Sequence, residues 1–175
     1  MKLTPSYMFA TYRDVTVDFL RERELRYLLV DIDNTLAPYE QPEPDDALVA
    51  WVESLQADGV RLSLVSNNDR ERVTRFNERL GLLAYAKSGK PGKRTLLRAM
   101  TELGADAAHT AMLGDQLLTD SYAGQRLGLT AIIVPPIKDK KNLFFRFKRR
   151  LERPFIRRYA RRHGKQPFLR FWGVR

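Results

Sequence analysis

Two carboxylates, Asp31 and Asp33, stand two residues apart in Asp31-Ile32-Asp33-Asn34-Thr35-Leu36, where the apolar run Tyr27-Leu28-Leu29-Val30 gives way to polar residues. Alternate side chains of an extended backbone share a side, so both charges face the same space. Like charges held that close need a cation or a shared proton. A hard divalent cation such as Mg2+ meets the need, ligated by carboxylates, a backbone carbonyl, waters and a substrate phosphate. A second acidic group, Asp115 and Asp120, follows in Gly114-Asp115-Gln116-Leu117-Leu118-Thr119-Asp120. An isolated Asp-x-Asp is ordinarily a cap or a turn. Here it keeps company with Ser66-Asn67 and with Lys90-Pro91, in a fixed order along the chain.

Those side chains have to be positioned, and the flanking pattern supplies the elements. Short apolar runs at 27–30, 60–65, 110–113 and 130–134 read as buried strands. Between them Leu48, Trp51, Val52 and Leu55 recur at helical spacing before Gly59, as do Val73, Phe76 and Leu80 before Gly81, and Leu96, Ala99, Met100 and Leu103 before Gly104. Strands alternating with helices predict an α/β fold, a Rossmann-like three-layer sandwich around a mainly parallel sheet. In such sheets ligands sit at the carboxyl ends of the strands. Asp31 and Asp33, Ser66 and Asn67, and Gly114 and Asp115 each follow directly on an expected strand, so all converge on that edge. Pro38, Pro42 and Pro44 place a loop over 37–45 beside it. There is no internal repeat.

The four elements, Asp31-x-Asp33-x-Thr35, Ser66-Asn67, Lys90-Pro91 and Gly114-Asp115 with Asp120, resemble in order and context the haloacid dehalogenase superfamily of phosphohydrolases, over roughly residues 27–134. The resemblance implies roles that physical chemistry supports. Asp31 is the implied nucleophile, forming an aspartyl-phosphate, and Asp33 the general acid and then base. Ser66, Asn67 and Thr35 are implied phosphate contacts. Lys90 is to offset the charge of Asp31 and of the transferring phosphoryl group; Lys87, three residues earlier, is the alternative lysine. Asp31, Asp115 and the backbone carbonyl of Asp33 are the implied Mg2+ ligands, with Asp120 holding a metal-bound water or orienting Lys90.

Only 33 positions separate Asp33 from Ser66 and 24 separate Ser66 from Lys90, which leaves no room for a cap domain. An uncapped site is open to large or surface-embedded substrates. The same motifs, with Val65-Ser66-Asn67-Asn68, are similar to the capless class IIIA phosphatases of the YqeG type, relatives of the mitochondrial phosphatidylglycerophosphate phosphatases. That likeness implies a phospholipid head-group phosphate among the substrates. Two other readings stay open: a phospho-accepting receiver module, which lacks an acid two residues after its nucleophile, and a binding protein built on this fold.

At 175 residues, 43% hydrophobic and 30% charged, the chain suits one domain with a full core. With no Cys, disulfides, a zinc ribbon and a thiol nucleophile are excluded. No apolar run approaches the roughly 20 residues of a membrane-spanning helix, and a cytoplasmic location is the default expectation. The net charge of +10 is unevenly spread: residues 1–137 hold 16 Lys+Arg against 19 Asp+Glu, while 138–175 hold 15 against 2. A phosphatase domain over 1–137, cored by 25–135, followed by a basic extension over 138–175, is the expected organisation. In the extension Phe144, Phe147, Leu151, Phe155 and Tyr159 form a stripe at helical spacing among Arg and Lys, with Pro154 expected to kink the helix or start a second one. Three fates suit such a helix. It packs on the domain, it docks on an anionic membrane at about 1 kcal/mol per basic residue, or it binds RNA or the ribosome. Oligomeric state is unreadable from the sequence.

Overall fold

The computed structural model describes residues 3–138 and 143–174, with the side chains of 143–146 and 149 left aside. Six strands, β1 (Tyr7–Met8), β2 (Tyr27–Val30), β3 (Arg61–Val65), β4 (Leu83–Tyr85), β5 (Thr110–Gly114) and β6 (Thr130–Ile133), form one sheet in the order β1-β6-β5-β2-β3-β4. Every pairing is parallel. The two central strands, β2 and β5, are the ones that end in Asp31 and Asp115.

Strand alternation divides the core. Leu28, Val30, Leu113 and Ile132 face one side with Leu48, Trp51, Val52 and Leu55 of α2 (Asp46–Ala57) and Val73 and Phe76 of α3 (Arg70–Asn77). Leu29, Val65 and Met112 face the other with Leu96, Ala99, Met100 and Leu103 of α4 (Arg94–Leu103). The α2 and α3 starts are capped by Asp45 and Asp69, whose carboxylates accept from the backbone N–H of Leu48 and Arg72. Gly104, left-handed at φ 65°, closes α4. Before β2, a short helix α1 (Val17–Arg21) and a 3-10 turn at Tyr12–Asp14 add Tyr12, Val15 and Leu20 to the first core, and the Trp51 indole donates to the Val15 carbonyl at 3.0 Å. These elements are too short to show a period in the sequence.

The basic extension forms α6 (Leu143–His163) and a 3-10 turn, Pro167–Trp172; between β5 and β6 lies α5 (Tyr122–Gln125). The helix continues past the exposed Pro154, so no second helix starts there. The expected stripe is also corrected. Phe147 and Leu151 are 60% and 46% exposed, and the buried face is instead Glu152, Ile156, Tyr159 and Ala160, joined by Leu169, Trp172 and Val174. This face covers Met8 of β1, Ile133 of β6 and Leu117. Only Phe155 and Tyr159 of the stripe pack, while Phe144, Arg146 and Arg149 as side chains, and Lys140 altogether, lie outside the described residues.

Candidate active site

The loop after β2 presents Asp31 to a lysine arriving from the far side of the sheet edge. Lys90 is buried, and its Nζ donates to Asp31 Oδ1 at 2.7 Å and to the Val65 carbonyl at 2.6 Å. Asp120 Oδ1 lies 2.7 Å from the same Nζ. The two groups form a buried ion pair. Burial by itself would lower the Lys90 ammonium, but the charges of Asp120 and Asp31 outweigh it and hold it above its ordinary value. Asp31 moves the other way: burial pushes its carboxyl up to about 7 against the pull of Lys90, with Asp120 and Asp33 adding repulsion. The Thr35 hydroxyl touches Asp31 Oδ2 at 3.4 Å and stays outside the cavity lining, so Thr35 meets Asp31 rather than the space beside it.

Lys90 owes its placement to Asn67. The Asn67 Oδ1 accepts from the Ser88 hydroxyl at 2.7 Å and the Lys90 backbone N–H at 2.9 Å, while its Nδ2 donates to the Lys90 carbonyl at 3.1 Å. Lys87, the alternative lysine, is exposed and lines a separate depression between α3, β4 and α4.

Asp33 is held by three donors. Ser66 Oγ and Asn68 Nδ2 reach its Oδ2 at 3.4 and 3.0 Å, and Arg72 Nε reaches Oδ1 at 3.3 Å. Arg72 also donates to the carbonyls of Pro42 and Pro38 at 3.0 and 3.4 Å, tying the proline-rich loop to the site. Sequence reasoning missed Arg72. It stands among several arginines on α3, and only the fold shows that this one turns inward.

Asp115 and Asp120 come from the segment after β5, a π-helical turn at Leu117–Ser121. Gly114 makes the close return possible, since a Cβ there would fall 2.4 Å from the Cβ of Asp120. Carboxylate oxygens of Asp31, Asp115 and Asp120 lie within 4.8 Å of one another, all three buried. Burial, then the charges of Asp120 and Asp31, drive Asp115 well above the ordinary carboxylate range. Three buried acids, Asp31, Asp115 and Asp120, share the one buried ammonium of Lys90, an acidic excess that a divalent ion would relieve. Hard oxygen donors and this acidic excess fit a divalent cation.

Glu152 of α6 was also missed. It is buried, and its carboxylate accepts from the Leu117 backbone N–H at 3.1 Å and the Trp172 indole at 3.1 Å, so that the extension grips the turn carrying Asp120. Tyr39 is a third addition. It lines the cavity of about 190 Å3 together with Asp31, Asp33, Ser66, Asn67, Asn68, Lys90, Gln116, Thr119 and Asp120. Burial and the neighbouring acids push its hydroxyl up to about 12, so it stays a neutral donor at the mouth. The sequence-based set therefore assembles here, apart from Asp115, which borders the cavity through the acidic triad, and Thr35.

Residues 7–128 match the haloacid dehalogenase-like hydrolase family. The chain is 33% identical over 142 residues to "Probable phosphatase YqeG" of Bacillus subtilis, covering 81% of this chain and 83% of that one. Its fold is similar to the 3-deoxy-D-manno-octulosonate 8-phosphate phosphatase of Yersinia pestis, with a TM-score of 0.54 at 14% identity over 71% of this chain and 70% of that one. It is also similar to the cobalt-bound deoxy-D-mannose-octulosonate 8-phosphate phosphatase of Haemophilus influenzae, with a TM-score of 0.51 at 13% identity over 74% and 88%.

Proposed function

The chain belongs to the haloacid dehalogenase-like hydrolases and is a phosphatase of that family, and we propose that it is a Mg2+-dependent phosphomonoesterase that works through an aspartyl-phosphate on Asp31. The observation that carries the reading is the Asp31–Lys90–Asp120 arrangement: a buried nucleophile candidate fixed by a buried ammonium, beside an acidic excess that suits one divalent cation.

Lys90 and the Asn67 bracket fix Asp31 Oδ1, which leaves Oδ2, touched only by Thr35, as the attacking atom. As the Oδ2–P bond forms, the bond from phosphorus to the leaving oxygen breaks and Asp33 gives that oxygen its proton. The Asp33 carboxylate so produced meets the donors already in place on Ser66, Asn68 and Arg72. In the second half a water attacks phosphorus, Asp33 takes its proton, and the P–Oδ2 bond breaks to release phosphate and restore Asp31. Ser66, Asn67 and the Tyr39 hydroxyl line the space where phosphoryl oxygens sit. Asp31, Asp115, Asp120 and the Asp33 carbonyl would hold Mg2+, which would supply charge stabilisation for the transferring group.

A lipid head-group monophosphate, of the phosphatidylglycerophosphate type, is the substrate class that best suits a site with no cap. Between Asp33 and Lys90 the described chain holds only α2, β3, α3, β4 and their loops, none of which closes over the cavity as an inserted domain would. The test is phosphate release from an aryl phosphate with and without Mg2+, together with acid quenching of a labelled substrate. Label retained on the native protein and absent from Asp31→Asn supports the intermediate; equal turnover by that variant refutes it. Comparing phosphatidylglycerophosphate in vesicles with soluble sugar and nucleotide phosphates decides the substrate class.

A further inference from the structure

Five large apolar side chains are more than a third exposed among the described residues: Tyr39, Leu97, Ile137, Phe147 and Leu151. Two of them, Tyr39 and Ile137, are tied to the rim of the catalytic cavity. Tyr39 lines it. Ile137 is fixed there because its N–H donates to the carbonyl of Asn34, between Asp33 and Thr35, at 3.0 Å. Phe147 and Leu151 lie within a turn of Lys148 on α6, and Lys148 Nζ donates to the Oε1 of Gln116, another lining residue, at 3.3 Å.

The same helix adds charge. Its buried face is fixed by Glu152, Ile156, Tyr159 and Ala160. At about 100° per residue the opposite face carries Arg150, Arg157, Arg158 and Arg161 beside Phe147 and Leu151, and all six are exposed. The only acid within 143–174 is Glu152, which is buried. On the rim, Glu40 pairs with Lys138 at 3.2 Å.

We propose that this face, made of the outward side of α6 and the apolar rim of the cavity, is a docking surface for an anionic phospholipid bilayer, with the catalytic cavity opening toward the lipid. Arginines interleaved with large apolar groups on one face of a helix are the pattern of an interfacial helix. No described helix is long and apolar enough to cross a membrane, so contact is peripheral. Single-stranded RNA would also meet the arginines, but it gains from successive aromatic platforms on which bases stack, and of the four apolar side chains here only Tyr39 and Phe147 are aromatic. Docking deepens the lipid-phosphate reading and rests on it only for what enters the cavity; adsorption to lipid is measurable without turnover.

The experiment uses the full chain bearing Asp31→Asn, sedimented with vesicles of phosphatidylcholine, with and without phosphatidylglycerol. Binding to the mixed vesicles alone is expected. Arg157→Gln with Arg158→Gln should weaken it roughly 25-fold, at about five-fold per charge, and Phe147→Ser with Leu151→Ser should weaken it further. The same exposed pairs in the active protein should leave turnover of a soluble aryl phosphate unchanged. Orientation is read from an environment-sensitive fluorophore on single cysteines, which are unique labels because the chain has none of its own. Ile137→Cys and Phe147→Cys should shift on vesicles and Leu97→Cys, on α4, should not. Failure to bind mixed vesicles, binding that survives both double substitutions, equal shifts at all three labels, or tighter capture by single-stranded RNA would each overturn the proposal. If the lipid-phosphate reading fails instead, docking persists while phosphatidylglycerophosphate is left uncleaved.

Discussion

Buried carboxylates occur at two places in this molecule, and their surroundings are opposite. Glu152 sits beneath α6, with N–H donors from Leu117 and Trp172 aimed at it. Burial raises its carboxyl, and the hydrogen bonds from Trp172 and Leu117 draw it back. At the sheet edge Asp31, Asp115 and Asp120 face one another with Lys90 between two of them. There burial and like charge act together on Asp115. An acid given its donors holds structure, whereas acids set against each other are poised for a cation and for chemistry. The first arrangement should fail by unfolding when broken, the second by losing turnover.

The largest effect is expected at Asp31, the proposed nucleophile. Asp31→Asn keeps shape and removes the attacking oxygen's charge, so turnover should drop by roughly 10^4-fold or more. The fold should survive, as read by an unchanged far-ultraviolet circular dichroism spectrum. A variant that loses both together would erase the distinction between the two sites. Lys90→Met is the intermediate case, because Lys90 belongs to both kinds of contact. Turnover should fall roughly 10^3-fold, and stability by about 3–5 kcal/mol as Asp31 and Asp120 lose their partner. Added Mg2+ should recover part of that stability in a thermal melt.

Glu152→Ala should act in the reverse sense. It strands the Leu117 N–H and the Trp172 indole in a buried place, at roughly 1–3 kcal/mol each, while touching no cavity-lining atom. Denaturant unfolding should report the loss, and the surviving folded protein should keep most of its aryl phosphatase rate. A collapse in kcat at unchanged stability would mean that Glu152 works through the Asp120 turn. Removing everything after Ile137 is a harsher version, since it uncovers Met8, Leu117 and Ile133 at once.

The two sites also differ in how far the sequence exposes them. Asp31, Asp33, Ser66, Lys90 and Asp115 are legible because each follows or precedes a strand or helix whose apolar period is plain, and because parallel topology sends strand ends to one edge. The central strands and α2 are recovered nearly to the residue for the same reason. Arg72 and Glu152 are illegible because their partners lie 39 and 35 residues away in the chain, and nothing local distinguishes them from neighbouring charges. The packing face of α6 was misread by pattern. Phe147 and Leu151 continue the period of Phe155 and Tyr159, yet the helix turns the position of an acid inward, because Glu152 finds the Leu117 N–H and the Trp172 indole waiting there. The first strand and α1 escape because two to five residues cannot display a period.

The smallest expected effect is the most direct probe of electrostatic conflict at the sheet edge. Folding raises Asp31 from 3.8 to about 7, and raises Asp115 as well. Between about pH 4 and about pH 7 the folded, metal-free protein therefore keeps protons that the unfolded chain has released. The stability these two acids contribute is fully present below that window and declines as pH rises through it. Asp115→Asn removes one contributor, so it should flatten the decline and raise the metal-free melting temperature near neutral pH by about 2–6 °C, equivalent to roughly 1–2 kcal/mol for a chain of this size. Mg2+ should reverse the trend in the native protein, because it favours the deprotonated acids, and should do so more weakly in the variant. Thermal melts in a chelator and in Mg2+ across this range measure both signs. A metal-free protein that gains stability as pH rises, or an Asp115→Asn variant that melts lower, would show that these acids are satisfied as Glu152 is.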